Sequence, residues 1–373
     1  MGLGKVAVLG GGPGGHAVAG DLSLRGFEVH FWARNPWHAA AVFQYKQIKM
    51  VGGIEGTAKL ANASNNLGEI VKGAKLIIIP LAATSQHEMA ENLAPFVENG
   101  QVIMTCCQGG LGSVEYTRVF REKGVKKNVL CTEYPGLPHG ARFVDAGIVN
   151  VTHGYQHGNT AFSKRIGIFP AKRTEEAMAV LNQVYAGTPA AKNALASALI
   201  SRGIIHQPIS VLASLSAIDA FVYWDIMEEG LSPTVRILTT ACDNERKAIE
   251  AAWGFTASKI YSEGFTEGKQ TDRQAAEKES GVKTKRIMWT FKDRLDNVAD
   301  HRYIAEAVPF GLVQRSSAAK RAGVATPVHD SVISLLSTVA GKDFYKTGRT
   351  LDAVGLKAKT VEETNKLLEN GWD

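Results

Sequence analysis

Only four cysteines occur in the 373 residues, Cys106, Cys107, Cys131 and Cys242. None forms a C-x-x-C pair, so neither a disulfide framework nor a zinc site is signalled, and a reducing, cytoplasmic setting fits. Charge of one sign is equally scarce: 42 Lys and Arg stand against 36 Asp and Glu, a net charge of +6. The basic residues are interleaved with acids rather than gathered on one patch, which argues against a nucleic-acid partner and suits a small anionic ligand. No apolar run approaches the ~18 residues of a membrane span, and "MGLGKVAVLGG" is too short an apolar opening for a signal peptide. The expectation is a soluble, unprocessed protein with no membrane partner. The length exceeds the ~250 to 300 residues at which single cores stop growing, so two domains sharing a cleft are expected.

The first half alternates short apolar strands with helical periodicity. "KVAVL" (5–9), "FEVHFW" (27–32), "KLIIIP" (75–80), "QVIMTC" (101–106) and "VLCTEYPG" (129–136) read as strands. Helices are expected from His16 to Gly26, from about Pro36, and over 85–97, 113–123 and 174–185, with strands at 143–152 and 165–169. A glycine-broken stretch, "VGGIEG", lies between them. Strands separated by helices imply a parallel, doubly wound α/β sheet. Beyond "AGTPAAKN" (186–193) long helical periodicity takes over, in 192–219, 233–253 and 327–340. The reading is a doubly wound domain over residues 1–188 followed by an all-helical domain over 189–373. The charged segment 262–301 reads as a solvated connection.

"VAVLGGGPGGH" places Gly10, Gly12 and Gly15 in the G-x-G-x-x-G spacing after a strand and at the opening of a helix, with Pro13 and Gly14 inside the turn. Glycines there permit a tight turn and let a pyrophosphate approach the helix N-terminus, as in a Rossmann-type domain. Leu81, after "KLIIIP", is a further candidate beside the cofactor. At the end of the second strand, "HFWARNP" carries Ala33 where an acid would bind the ribose 2′-hydroxyl of NAD, followed by Arg34 and Asn35. A guanidinium can bind a 2′-phosphate, so NADPH is expected ahead of NAD. The alternative for Arg34 is a solvent-facing charge at a strand end.

Ten histidines offer few good contexts. His153 and His157 have i, i+4 spacing but no third ligand, so no metal is expected. His16 reads as a helix residue near the cofactor. His206, in "ALISRGIIHQPISVLA", interrupts an apolar helical stretch, and on sequence alone a buried histidine with a hydrogen-bond partner is favoured over a catalyst. Cys106 and Cys107 read as core residues at a strand end.

Four blocks in order resemble the octopine/nopaline (opine) dehydrogenase family nearly from end to end. They are "GGGPGGHA", "IIIPLAATSQHEMAENLAPFVENGQVIM", "YWDIMEEGLSPTVRILTTACDNERKAIEAA" with its E-G-x-S-P turn and D-x-E-R, and "DFYKTGRTLDAVGL". The resemblance implies an NAD(P)-dependent enzyme that condenses an amine or amino acid with a 2-oxo acid and reduces the imine. By position, His206 matches the family's catalytic histidine, a general acid/base. The family's usual His-Pro is here His206, Gln207, Pro208, with Arg202 upstream. "HRYIAEAV" matches a block whose arginine binds substrate carboxylate and whose aspartate orients the histidine: Arg302 keeps the first, and Ala307 replaces the second. The substrate expected is a small carboxylate or carbonyl compound.

Glu306, Asp225, a backbone carbonyl or water are the candidates to orient His206 instead. Glu133 and Arg142 resemble positions near nicotinamide and substrate, with a structural ion pair as the equal alternative. Trp224 and Trp289 could line a pocket or pack between helices. A simpler carbonyl, hydroxy-acid or imine reductase and a non-enzymatic NADP-binding sensor remain as other readings. A homodimer through the helical domain is expected.

Overall fold

The computed structural model describes residues 2–35, 39–153, 164–220, 226, 229–261, 263–267, 269 and 298–372. The chain opens with β1 (Lys5–Leu9), α1 (Pro13–Leu24), β2 (Glu28–Trp32), α2 (Ala40–Tyr45), β3 (Gln47–Gly52), β4 (Gly56–Lys59), β5 (Asn62–Ser64) and α3 (Leu67–Val71). Then follow β6 (Leu76–Ile79), α4 (Gln86–Leu93), β7 (Val102–Cys107), α5 (Gly112–Glu122), β8 (Leu130–Pro135), β9 (Gly140–Asp145), β10 (Ile148–His153), β11 (Gly167–Phe169) and α6 (Thr174–Leu181).

Seven strands form one sheet in the order β11-β8-β7-β6-β1-β2-β5, parallel except for β11 against β8. Successive residues of a strand face opposite sides. Val6 and Val8 of β1 accordingly join one buried cluster while Ala7 and Leu9 join another, and Leu76 and Ile78 of β6 divide from Ile77 and Ile79 in the same way. Both faces are covered, which is why these strands read as unbroken apolar runs. Each fully buried Ile, Leu or Val contributes about 1.5–3 kcal/mol, enough for the central strands to anchor the sheet.

Two expectations change here. "VGGIEG" is not a loose break but the turn of a hairpin, β3 to β4, and residues 143–152 are not one strand but parts of a second hairpin, β9 to β10. Together they make a separate four-stranded sheet, β4-β3-β10-β9. The turns use glycine where φ is positive, Gly52 at 95° and Gly147 at 71°, a region that residues with a Cβ rarely adopt. The helix expected from about Pro36 begins only at Ala40, and Pro36–His38 lie outside the described residues.

The chain divides into two compact units, Met1–Ala198 with Lys366–Asp373, and Leu199–Asn365. The division falls about ten residues after the expected 188/189, and the last residues return to the first unit. The second unit is helical throughout its described residues. The single helix expected over 192–219 is three: α7 (Ala194–Leu199), α8 (Gly203–Ala213) and α9 (Leu215–Asp219). Arg315, fully buried, donates from Nη2 to the carbonyls of Leu199 (2.7 Å) and Ser201 (2.8 Å), satisfying groups orphaned where α7 stops. The Ala194–Ala213 stretch is apolar enough by length and composition to pass for a membrane span, but 83% of its most apolar 18 residues is buried inside the protein.

The family-like blocks are mostly structural. In the E-G-x-S-P turn, Ser232 accepts from Val235 N at 3.4 Å and Pro233 starts α10 (Pro233–Ala252). In D-x-E-R, the buried Arg246 meets Asp243 at 2.6 Å, Glu250 at 2.7 Å and the Ser258 carbonyl at 2.6 Å. After α11 (Glu263–Thr266) come α12 (Arg302–Ala305), a π-helical turn over Val308–Leu312, α13 (Val313–Arg321), α14 (Pro327–Ala340), α15 (Phe344–Thr347) and α16 (Val361–Asn370). Glu245 caps α14, accepting from Val328 N at 2.7 Å and His329 N at 3.0 Å. Asp343 likewise caps α15.

Candidate active site

In the first unit the dinucleotide candidates lie on the β1–α1 turn. Pro13 takes the first position of α1, where its missing N–H costs nothing, and Gly12 precedes it with no side chain capping the helix. A Cβ on Gly15 would lie 1.8 Å from the Gly10 carbonyl oxygen, so that position admits glycine alone. A Cβ on Gly12 would meet nothing within 4 Å. Tight backbone below and open space at the helix N-terminus together fit a pyrophosphate. Leu81 borders the same turn, its Cδ2 3.4 Å from where a Gly10 Cβ would stand.

Ala33 is fully buried after β2, its Cβ 2.8 Å from where a Gly11 side chain would begin. Arg34 and Asn35 are exposed beside it. Arg34 donates to both Glu88 carboxylate oxygens, at 3.0 and 3.1 Å. With side chains 70% and 59% exposed, this pair is worth at most about 1 kcal/mol and gives way readily to a better anion. His16 is buried, with Nδ1 3.0 Å from the Gly12 carbonyl and its ring edge-on to Phe31 and Phe143.

The helical unit carries the remaining candidates. His206 sits in the first turn of α8, 5% exposed. Pro208, two residues on, has no N–H to offer the helix ladder. α8 packs against α10, α12 and α14, which brings the Arg302–Ala307 segment to the helix of His206. A Cβ on Gly311 would meet Ile204 Cδ1 at 2.4 Å, so the π turn after Ala307 touches the same helix. Burial, then the nearby Arg202 cation, pulls the His206 pKa down to about 3, while the Arg202 carbonyl opposes the fall. Nδ1 lies 3.3 Å from the Tyr261 hydroxyl, which donates to the Arg202 carbonyl at 3.2 Å.

Tyr261 carried no sequence signal, being separated by 55 positions from the histidine it meets. Arg302 is 39% exposed, with Nε 3.8 Å from the buried carboxylate of Glu306. Glu306 is thus set toward the arginine, and Asp225 lies outside the described residues. Ala307 is buried in the apolar cluster with Ile204, Ile205 and Val308.

Other candidates resolve differently. Glu133, buried on β8, accepts from Leu111 N (3.2 Å), Ser113 N (3.1 Å) and Ser113 Oγ (2.7 Å), holding the start of α5. Arg142, on β9, donates to the Ala141 carbonyl at 2.7 Å. Burial pushes the thiols of Cys106 and Cys242 up, and that of Cys131 to about 12, as suits core residues. Cys242, Glu245 and His329 cluster within 4.8 Å, but both Glu245 oxygens serve the α14 cap and His329 Nδ1, 2.7 Å away. His157, Trp224 and Trp289 lie outside the described residues.

Residues 5–126 match the family model of the NAD-dependent glycerol-3-phosphate dehydrogenase N-terminus, and residues 190–340 that of the NAD/NADP octopine/nopaline dehydrogenase alpha-helical domain. An opine dehydrogenase of Arthrobacter sp. (strain 1C) is 27% identical over 97% of this chain and 98% of its own. The glycerol-3-phosphate dehydrogenase of Moorella thermoacetica is 32% identical over 112 residues, 28% of this chain and 31% of its own. A solved octopine dehydrogenase with NADH and pyruvate shares the fold at a TM-score of 0.71 and 17% identity, covering 99% of both chains. Yersinopine dehydrogenase with NADP+ does so at 0.58 and 13% identity, over 99% of this chain and 98% of its own. With a dinucleotide-binding domain and an octopine/nopaline-type alpha-helical domain matched in order, and an opine dehydrogenase similar from end to end, the protein is an NAD(P)-dependent dehydrogenase.

Proposed function

We propose that the protein is an NADPH-preferring opine-type enzyme that joins an amine or amino acid to a 2-oxo acid and reduces the imine to a secondary amine. The observation that carries this reading is the buried His206 on α8, the helix that packs against α12 with Arg302. An amine donor arrives as an ammonium, whose proton must leave before the nitrogen can attack a carbonyl. Burial lowers the His206 pKa, so the imidazole rests neutral with a lone pair to receive that proton. His206 takes the ammonium proton and returns it to the carbinolamine hydroxyl as water leaves. Direct ketone reduction instead needs a proton donor at the outset, a role a neutral imidazole fills less well.

Arg302 is the group for the 2-oxo acid carboxylate, since a half-exposed guanidinium can present two parallel N–H groups. When bound, the reduced nicotinamide supplies the hydride that saturates the imine carbon. Gly12, Gly14 and Gly15 hold its pyrophosphate, and Leu81 borders it. Arg34 meets the 2′-phosphate, with Asn35 beside it, exchanging the exposed Glu88 for a doubly charged partner.

Ala307 favours a second reading, carbonyl or imine reduction without condensation, because no aspartate stands where the family places one. The test is NADPH oxidation with a panel of 2-oxo acids, each with and without amino acids. Oxidation that needs both substrates supports the opine reading, and equal rates without the amine overturn it.

A further inference from the structure

We propose that Tyr261 is the positioning residue of His206: its hydroxyl accepts the Nδ1–H of the imidazole while donating to the Arg202 carbonyl, which fixes the tautomer with its lone pair on Nε2. The inference rests on the reading of His206 as the proton-transfer group, and it concerns how a chain with alanine at position 307 orients that ring.

The direction of the hydrogen bonds follows from counting protons. The Tyr261 oxygen is 3.2 Å from the Arg202 carbonyl oxygen and 3.3 Å from His206 Nδ1. A carbonyl only accepts, so the assignment that satisfies both contacts directs the phenolic proton to Arg202 and leaves the Tyr261 oxygen to accept from Nδ1. In that assignment Nδ1 carries the imidazole proton and Nε2 is the basic nitrogen.

Each member of the chain is anchored. Arg202 immediately precedes α8, and its carbonyl also accepts from Ile205 N at 3.1 Å, so the relay ends on the helix that carries His206. The Tyr261 ring is 3% exposed and stacks on Phe265 with centroids 4.4 Å apart and planes 10° from parallel, which stops the hydroxyl from swinging away. The Arg202 guanidinium stands over the tyrosine ring at 6.0 Å.

The consequence differs from that of an aspartate. A carboxylate both aims the ring and stabilises the imidazolium. A phenol bound to a carbonyl aims the ring without the negative charge. The histidine is thus oriented with its lone pair on Nε2, without a carboxylate beside it.

The test uses the full-length protein with ¹⁵N-labelled histidine, in which long-range proton–nitrogen correlation distinguishes bare from protonated ring nitrogens. His206 is assigned by its loss from the His206→Gln spectrum. The wild type should show Nδ1 protonated and Nε2 bare, and Tyr261→Phe should shift His206 to the Nε2–H tautomer or a mixture. In the same variant kcat should fall about 10- to 100-fold, with KM for both substrates and NADPH affinity within about threefold. An Nε2–H tautomer in the wild type would overturn the proposal even if Tyr261→Phe failed to fold. So would an unchanged tautomer and kcat in a folded Tyr261→Phe. The spectrum needs no substrate, so absence of opine activity would remove the reaction assigned to His206 while leaving the positioning result standing.

Discussion

Replacing His206 with glutamine should make the protein less sensitive to acid. In the folded chain burial and Arg202 hold the imidazole pKa at about 3, against 6.5 when unfolded. A group whose folded pKa is depressed contributes stability that is complete above the unfolded value and is lost as pH falls toward the folded one. The window is therefore between 6.5 and about 3. Lowering pH from about 7 to about 5 carries the unfolded histidine ~1.5 units below its pKa, and at about 1.4 kcal/mol per unit this favours unfolding by about 2 kcal/mol. For a unit of this size that is a fall of about 4 to 8 °C in Tm. Burial also lowers the pKa of His329 and of the half-buried His30, so the wild type loses more than this in total. Those losses are common to both proteins and cancel in the difference. Differential scanning calorimetry of wild type and His206→Gln at both pH values should show the variant's acid-induced shift smaller by about 4 to 8 °C. Equal shifts would mean that His206 is charged, or solvated, in the folded protein, and the proton-acceptor role would fall with it.

Arg34→Ala should weaken NADPH binding by about 10- to 100-fold, the worth of one or two charge-assisted hydrogen bonds, and leave NADH nearly unchanged. Glu88→Gln should strengthen NADPH modestly by releasing Arg34; titration by cofactor fluorescence reads both, and equal effects on the two cofactors would remove the arginine from the 2′-phosphate. Gly15→Ala should abolish dinucleotide binding, because its Cβ would fall 1.8 Å from the Gly10 carbonyl oxygen; retained affinity would mean the turn is not the pyrophosphate cradle. Arg302→Ala should raise KM for the 2-oxo acid by about 10- to 100-fold, with Arg302→Lys recovering only part, since an ammonium lacks the two-pronged geometry. Ala307→Asp should lower stability at neutral pH by about 3 kcal/mol, because it buries a carboxylate among apolar neighbours. An unchanged Tm there would show that the new carboxylate finds a cationic partner and that the family's histidine–aspartate pair can be rebuilt.

The strands of the main sheet were legible because residues buried on both faces leave unbroken apolar runs, and the turn at Gly10–Gly15 because its spacing includes Gly15, where a Cβ would strike the Gly10 carbonyl oxygen. The helix starts at Ser232 and Pro233 were equally readable, since capping is local chemistry. The second sheet was not: β3 alternates apolar Ile48 and Met50 with Gln47 and Lys49, but its pairing with β10 joins segments about a hundred residues apart. A separation of 55 positions likewise hid Tyr261 from His206, and pattern alone did not show that Glu133 holds Leu111 and Ser113 at the start of α5. Periodicity alone also merged α7, α8 and α9, because what separates the first two includes Arg315, more than a hundred residues later, drawing the end of α7 aside.

The central claim is that hydride reaches an imine built from two substrates. It is tested most directly by incubating the protein with an amino acid, a 2-oxo acid and NADPH deuterated at the transferred position, and weighing the products. The account predicts one secondary amine, equal in mass to the two substrates less water plus one hydrogen and one deuterium, with the deuterium on the former carbonyl carbon. A deuterated 2-hydroxy acid formed beside unchanged amino acid would contradict it.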